Sequence, residues 1–482
     1  METLSVLPIP FFLSVLALAA LAWVALEARR QGWGIPFAMV LGTTAVWYHG
    51  DALYNDYEEY RILMGDAALE AVWWQVLLFL IALGFAVPLA HRLINARLGN
   101  RRSQFMRYLE TRRLVHPVIQ RRIDRLASIM VPAWLVLMGI GLYRVDFDFI
   151  GLFAPYLGEK ANPWSRGRIG AGFDAVFSLA GYVQLFLAAG FGVLAAVARN
   201  PRTQGIALVI CFLSFPFYLF DRTRNTMVAS MLPGMLAFIL FRVKGGLFTK
   251  AVVLLGAFLL VNFWFSFVIA NRTGGSIAGQ LQDAEAIERA ADARHEGLSM
   301  FSELGYINDY FGKGTLEPDG GRRYFAELVN PVPRALWKNK PMVGIDYAVA
   351  RGFGVDDGAE SGAGVTASIA TGMIGQGVVN FGRVLGPIAA AILMACWIAV
   401  LARQDLLGQD PAHMLLFAVG MILTFNMGRD ITLLVLYPFV FGWILLKLHH
   451  WYEQQRNGGE PRRPIRNNSR RKPVASKVAR HR

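Results

Sequence analysis

Arginines that close apolar runs are the side chains of this chain whose type and spacing best suit chemistry. Arg222 and Arg224 sit in Phe220-Asp221-Arg222-Thr223-Arg224-Asn225, Arg429 in Met427-Gly428-Arg429-Asp430, and Arg272 in Ala270-Asn271-Arg272-Thr273-Gly274. Ionisable groups at membrane depth are costly and point to a functional partner. Asp221 and Asp430 could form simple helix-end ion pairs, and an arginine can snorkel to lipid headgroups. Two aspartates cannot neutralise four arginines, however, so an anionic ligand is the economical partner. The planar guanidinium matches phosphate oxygens bidentately.

A second concentration of charge lies in Leu328-Val329-Asn330-Pro331-Val332-Pro333-Arg334-Ala335-Leu336-Trp337-Lys338-Asn339-Lys340-Pro341. Its prolines fix φ and stop any helix, while Arg334, Lys338 and Lys340 add three cations to the same short loop. Beyond it, Gly372, Gly375 and Gly377 precede Asn380-Phe381-Gly382 and a long apolar run. These glycines would let a short, re-entrant segment pack close to neighbouring helices.

A proton acceptor would have to be a carboxylate near those cations. Asp309 and Glu303 stand among Tyr306, Tyr310 and Phe311, aromatics that could stack on sugars, and Asp51 follows Tyr48-His49-Gly50 at a helix end. The plainer reading makes each a surface or capping acid. The eight histidines are scattered, and there is no Walker loop, Rossmann glycine fingerprint, HExxH or paired CxxC. The expectation is therefore no metal and no cofactor. Cys211 and Cys396 both fall in apolar runs and imply no disulfide framework.

These groups need a scaffold, and the composition dictates its kind. Hydrophobic residues make up 55% of the 482 residues and charged ones only 17%, against roughly 25% charged in ordinary globular chains. Mean hydropathy is +0.40. A chain this apolar cannot cover itself with polar surface in water, which excludes a soluble enzyme and predicts an all-α polytopic membrane protein. Eleven segments are long and apolar enough to be spans: 4–26, 33–50, 71–91, 127–145, 172–197, 205–221, 226–243, 250–270, 384–402, 411–428 and 430–449. The start, Met1-Glu2-Thr3, lacks the basic n-region of a signal peptide and reads as a retained first helix.

The net charge of +14 comes from two places. Ten arginines between Arg92 and Arg125 face only Glu110 and Asp124, and ten basic residues in 450–482 face only Glu453 and Glu460. Both abut apolar spans, so the positive-inside rule accounts for them and no nucleic-acid partner is needed. Arg29-Arg30, the Arg199–Arg202 loop and the 402–410 loop fall on the same side, which predicts an outside N-terminus and a cytoplasmic C-terminus. The expected organisation is spans one to eight with the basic loop 92–126 in residues 1–271, an ordered outer cap in 272–383, spans nine to eleven in 384–450, and a disordered basic tail in 451–482. The cap holds 14 acidic and 11 basic residues, nearly balanced, with many aromatics. Such a composition disfavours disorder.

The run Pro333-Arg334-x-x-Trp337-x-x-Lys340-Pro341 resembles the outer-loop signature of O-antigen polymerases, also called oligosaccharide repeat-unit polymerases. Thr366, Gly372 and Asn380-Phe381-Gly382 resemble the segment by which that family enters its next helix. The Thr223-Arg224 and Gly428-Arg429-Asp430 links look like its two helix-end arginine sites. The resemblance covers roughly residues 205–450, and the first 200 residues are similar only in being helical. It implies a GT-C-like, metal-independent glycosyltransferase of a bacterial inner membrane. Its donor and acceptor would both be oligosaccharides on undecaprenyl pyrophosphate, and a flippase and a chain-length regulator would work in the same pathway. The implied substrate-binding residues are Arg222, Arg224, Arg272, Arg334, Lys338, Lys340 and Arg429.

Three other readings are open at this point. A related ligase would use similar arginines to pass the same lipid-linked glycan to a different acceptor. A transporter would place its arginines along a mid-membrane pathway, whereas these lie at expected helix ends on one side, and no internal repeat of the transporter kind is visible. A structural subunit of an export complex would need no base at all.

Overall fold

The computed structural model describes residues 7–456, apart from 100, 112–113, 115, 158–159, 165–173, 221–223, 271–284, 286–298, 330–331, 333–335, 338, 342–346, 348–350, 352–369 and 432. The chain is all-helical, with no strand among the described residues. Its main helices are α1 (Ile9–Glu27), α2 (Gly34–Thr44), α3 (Asp66–Asn95), α4 (Pro117–Arg144), α5 (Asp174–Val197), α6 (Pro201–Leu219), α7 (Arg224–Phe241), α8 (Leu247–Ala270), α9 (Met300–Lys313), α10 (Arg322–Val329), α11 (Met373–Leu406), α12 (Pro411–Met427) and α13 (Leu433–Arg456). Among the described residues six helices are long and apolar enough to cross a membrane, with four shorter apolar ones. The chain is a multi-pass membrane protein. The helix α13 carries helical structure on to Arg456, into the stretch expected as an irregular tail.

Helix starts follow local chemistry. The helices α4, α6 and α12 begin at His116-Pro117, Asn200-Pro201 and Asp410-Pro411, where the polar side chain accepts from the N–H of Val118, Arg202 or Ala412. Proline in the first turn has no N–H to leave unsatisfied, and the cap satisfies the next donor. Expected span 33–50 is α2 followed by a π-helical turn, Ala45–Gly50, which buries Trp47, Tyr48 and His49. Single π turns inside α-helices recur at functional sites.

Within residues 1–442 the basic segments meet at one end. Arg30 pairs with Glu110 at 3.1 Å. The Asp405 carboxylate accepts from the N–H of Phe105 at 2.8 Å, and the Tyr108 hydroxyl donates to the Gly408 carbonyl at 2.7 Å. Thr203 donates to Asp124 at 2.6 Å, and Arg242 to the carbonyls of Ala196 and Ala198 at 2.6 and 2.5 Å. The opposite end gathers residues 48–60, α9, α10 and the link 428–431. The core between them is built on α3 lying along α11. It is closed by the buried pair Gln75 and Asn308, which exchange hydrogen bonds of 2.8 and 2.9 Å between α3 and α9.

The helix α11 is two helices in one. At Gly382 φ is +80° and ψ −178°, so a short arm (373–381) folds back on a long arm (383–406). Only glycine adopts that backbone without strain. The arms touch backbone to backbone: a Cβ on Gly386 would lie 2.5 Å from the carbonyl carbon and oxygen of Gly377. The expected span 384–402 is the long arm, and the short arm occupies the stretch where the glycines pointed to a re-entrant segment.

Candidate functional site

The short arm of α11 is fastened at both ends, and the fastenings build a polar pocket. At its start, Thr371 donates from N–H and hydroxyl to Oδ1 of Asp430 (3.1 and 3.0 Å). The N–H of Met373 donates to Gly428 O at 3.0 Å. The N–H of Ile374 donates to the Tyr48 hydroxyl at 3.0 Å, and that of Ile431 to Gln376 Oε1 at 2.8 Å. At its far end it receives α10: the N–H of Asp319 and Gly321 donate to Val379 O and Asn380 O, and that of Tyr324 to Asn380 Oδ1 at 3.0 Å. The Asp319 carboxylate accepts from the N–H of Gly321 and Arg323, both at 3.1 Å, which sets the first turn of α10.

Arg323 and Glu327, four residues apart on α10, therefore share one face. Arg323 is 7% exposed, Glu327 6% and Gln376 0%. Among the described residues, Nε and Nη1 of Arg323, the Tyr324 hydroxyl, Oε2 of Glu327, Nε2 of Gln376 and Nε of Arg429 have no hydrogen-bond partner. The groups sense one another electrostatically through Asp430, whose carboxyl feels Arg323 and Arg429. Burial pushes the Glu327 carboxyl up to about 7, the Asp430 charge adds to the rise, and Arg323 opposes it.

Beside this cluster runs an apolar cavity of about 1230 Å³. Its walls come from α2, α4, α5, α6, α7, α8 and α12, with side chains such as Met39, Leu126, Phe215, Met231, Leu254 and Phe417. It reaches from Pro411, at the basic end, to Asn426 and Arg429, at the opposite end. Along α12 that is about 22 Å at 1.5 Å per residue. Pockets for small ligands run to about 300–1,000 Å³, so the space suits a long apolar chain. At the far end Asn426 Nδ2 donates to Asn225 O at 3.2 Å, which brings the first turn of α7 against the last turn of α12. Arg429 lines the cavity and belongs to the polar cluster as well.

The residues singled out from sequence distribute as follows. Arg429 is in the site. Arg224 opens α7 next to Asn225, with its side chain beyond what is described. Arg222, Arg272, Arg334 and Lys338 lie outside the described residues. Lys340 donates to Val332 O at 3.0 Å and ties the proline-rich loop. Asp51 is fully buried and accepts from the N–H of Phe301 and Ser302 (2.8 and 3.3 Å), from Asn55 and from Tyr60, so it caps α9. Burial raises its carboxyl to about 6 against those hydrogen bonds. Glu303 is held by Arg351 through two contacts of 3.2 Å and by the Tyr347 hydroxyl, while Arg351 stacks on Tyr306 at 3.8 Å. Asp309 pairs with Lys313 at 2.6 Å.

All three carboxylates thus have partners of their own, and none has an oxygen in the cluster. Asp430 binds Thr371, and among the described residues no ion pair within 4.0 Å joins it to Arg429. Arg323, Tyr324, Glu327 and Gln376 carried no signal in the sequence beyond the basic-aromatic run Arg322-Arg323-Tyr324-Phe325. Among the described residues no three His, Cys, Asp or Glu side chains converge as metal ligands. No family model matches the chain, and neither a curated protein nor a solved structure shows similarity to it.

Proposed function

We propose that the chain is a GT-C-like glycosyltransferase of a bacterial inner membrane, with eleven spans, an outside N-terminus and a cytoplasmic C-terminus. On this reading it polymerises oligosaccharide repeat units carried on undecaprenyl pyrophosphate. The observation that carries the reading is the apolar cavity, about 22 Å long along α12, that ends on Asn225, Asn426 and Arg429. A polyprenyl chain fits the apolar length, and its pyrophosphate would meet the arginine end. The convergence of the basic segments at the other end supports placing this arginine end outside.

The chemistry follows from that placement. The anomeric carbon of the growing chain is bonded to a pyrophosphate oxygen, already a competent leaving group. Arginines held ready at that oxygen stabilise the charge that develops as the bond breaks. The acceptor sugar hydroxyl approaches from the side of α9 and α10, where the cap lies. After transfer the undecaprenyl pyrophosphate remains in the cavity and leaves into the bilayer.

The test is the glycan profile of a deletion strain. Loss of a polymerase leaves single repeat units on the final acceptor and removes the ladder of longer chains. Long chains stranded on the lipid carrier would indicate a ligase, and single units trapped inside would indicate a transporter.

A further inference from the structure

We propose that Glu327 is the group that takes the proton from the acceptor sugar hydroxyl, with Arg323 and Tyr324 holding that sugar against it. The inference rests on the polymerase reading and names residues that reading does not require. As the hydroxyl oxygen bonds to the anomeric carbon, its proton passes to Oε2 of Glu327. The carbon–oxygen bond to pyrophosphate breaks, and the electron pair leaves with the lipid carrier beside Arg429. Glu327 then returns the proton to water.

Three observations carry this. First, among the described residues Oε2 of Glu327 is a buried acceptor with no donor, and on the same helix Arg323 Nε and Nη1 and the Tyr324 hydroxyl are buried donors with no acceptor; the Glu327 carboxyl feels the Arg323 charge. A sugar hydroxyl is both donor and acceptor, so a single polyol satisfies both kinds of orphan. Buried polar groups are otherwise almost always paired. Second, an aromatic face adjoins the cluster. Phe381 is 40% exposed and its ring lies 6.0 Å from that of Tyr324. Stacking on such faces is how apolar sugar surfaces are held. Third, the acids singled out from the sequence are spent: Asp51, Glu303 and Asp309 each close a contact elsewhere.

The charged surroundings suit the role. Glu327 faces Arg323 on its own helix and Asp430 on the link, with Arg429 next to Asp430. Tyr48 and Asp319 act on Asp430 and Tyr324 from the π turn and the turn before α10. The short arm Met373–Phe381 presents no titratable side chain. A carboxyl at about 7 is matched to working pH, as a general base should be.

The experiment uses full-length protein in lipid nanodiscs and, as substrate, the lipid-linked single units extracted from the deletion strain. Wild-type turnover should climb as pH rises through about 7. Glu327→Gln should lower turnover by about 10²-fold or more, the usual worth of a general base, and flatten that climb. Retention of the lipid-linked unit should stay within about twofold, since the apolar cavity and Arg429 are untouched. Glu327→Gln removes a buried charge, so its thermal midpoint should not fall. A purely structural Glu327 would instead change the midpoint and leave the pH profile. Polymer formed by wild type and Glu327→Gln alike at every pH overturns this inference and leaves the polymerase reading standing. No polymer from wild type sinks both. Should the variant not fold, a wild-type rate flat from pH 6 to 8 overturns the assignment.

Discussion

Replacing Gly386 by Ala should damage turnover far more than it damages the fold. The added Cβ would meet the carbonyl carbon and oxygen of Gly377 and the Cα of Val378, all at 2.5 Å. Ordinary Cβ contacts begin at 3.4 Å, so the two arms of α11 must part by about 0.9 Å. Backbone atoms cannot step aside as a side-chain tip can. The long arm is anchored along α3, so the short arm is the part that yields. Overpacking of this kind costs about 1–3 kcal/mol, which a protein of this size survives. The short arm and the residues that lead into it, however, hold Thr371 against Asp430, Gln376 against Ile431 and Asn380 against Tyr324. Moving catalytic groups by about 1 Å costs about 10²-fold. The measurement is turnover of lipid-linked units in nanodiscs, with the thermal midpoint recorded on the same samples. Gly256→Ala, where nothing lies within 4 Å of the new Cβ, is the control and should match wild type. A Gly386→Ala protein with unaltered turnover would refute the claim that this glycine contact positions the site.

Four further outcomes are expected. Arg429→Lys should lose about 10- to 100-fold in turnover, because an ammonium does not reproduce the guanidinium fork and a charged hydrogen bond is worth about 1.5–3 kcal/mol; wild-type turnover would contradict a phosphate contact there. Asp51→Asn should flatten the fall of the thermal midpoint between pH 4 and 7. The folded protein holds that proton up to about 6 against 3.8 unfolded, so about 3 kcal/mol of stability present at low pH is lost as pH rises through 6; parallel wild-type and variant curves would contradict it. Ala418→Trp, on the cavity wall, should raise the KM for lipid-linked units with little change in kcat, and an unchanged KM would mean the cavity is not the lipid site. Reporter fusions at Gly320 and at the C-terminus should report opposite sides of the membrane, and agreement between them would overturn the proposed topology.

Much of the scaffold can be read from the sequence because membrane helices announce themselves by continuous apolar runs. The segment 4–26 falls on Ile9–Glu27, 71–91 within Asp66–Asn95, and 411–428 on Pro411–Met427. The Pro-capped starts of α4, α6 and α12 are equally local. What the local signal cannot convey is burial made at long range. Glu327 looks like any loop acid until Asn380, 53 residues later, receives α10 and turns that face inward. Asp51 looks like a helix-end acid at the membrane surface. Its partners are the N–H groups of Phe301 and Ser302, some 250 residues away, so it closes a cap that no spacing rule could reveal. Glu303 drew notice for its aromatic neighbours, and those neighbours are real, but Arg351 uses Tyr306 as a platform to hold it in an ion pair.

The distribution of unsatisfied groups separates a site from ordinary imperfection. His49 Nδ1, Trp73 Nε1, Asn95 Oδ1 and Asp405 Oδ2 are also buried without a partner. Each belongs to a residue that is otherwise engaged: His49 with Ser14, Trp73 in ring contact with Phe11 and Phe301, Asn95 with Ala399, and Asp405 with Phe105. Around Asp430 the orphans are gathered: among the described residues four side chains hold unpaired donors and Glu327 an unpaired carboxylate oxygen. An orphaned buried group costs about 1–3 kcal/mol, so a gathering of them is held together against its own energetics. An anion alone would answer the donors and leave the carboxylate worse off. A glycosyl pyrophosphate and an acceptor sugar together answer both, with phosphate oxygens for Arg429 and an acceptor hydroxyl for Arg323 and Glu327. On the polymerase reading Arg429, shared by the cavity and the cluster, stands where the donor's pyrophosphate would meet the acceptor.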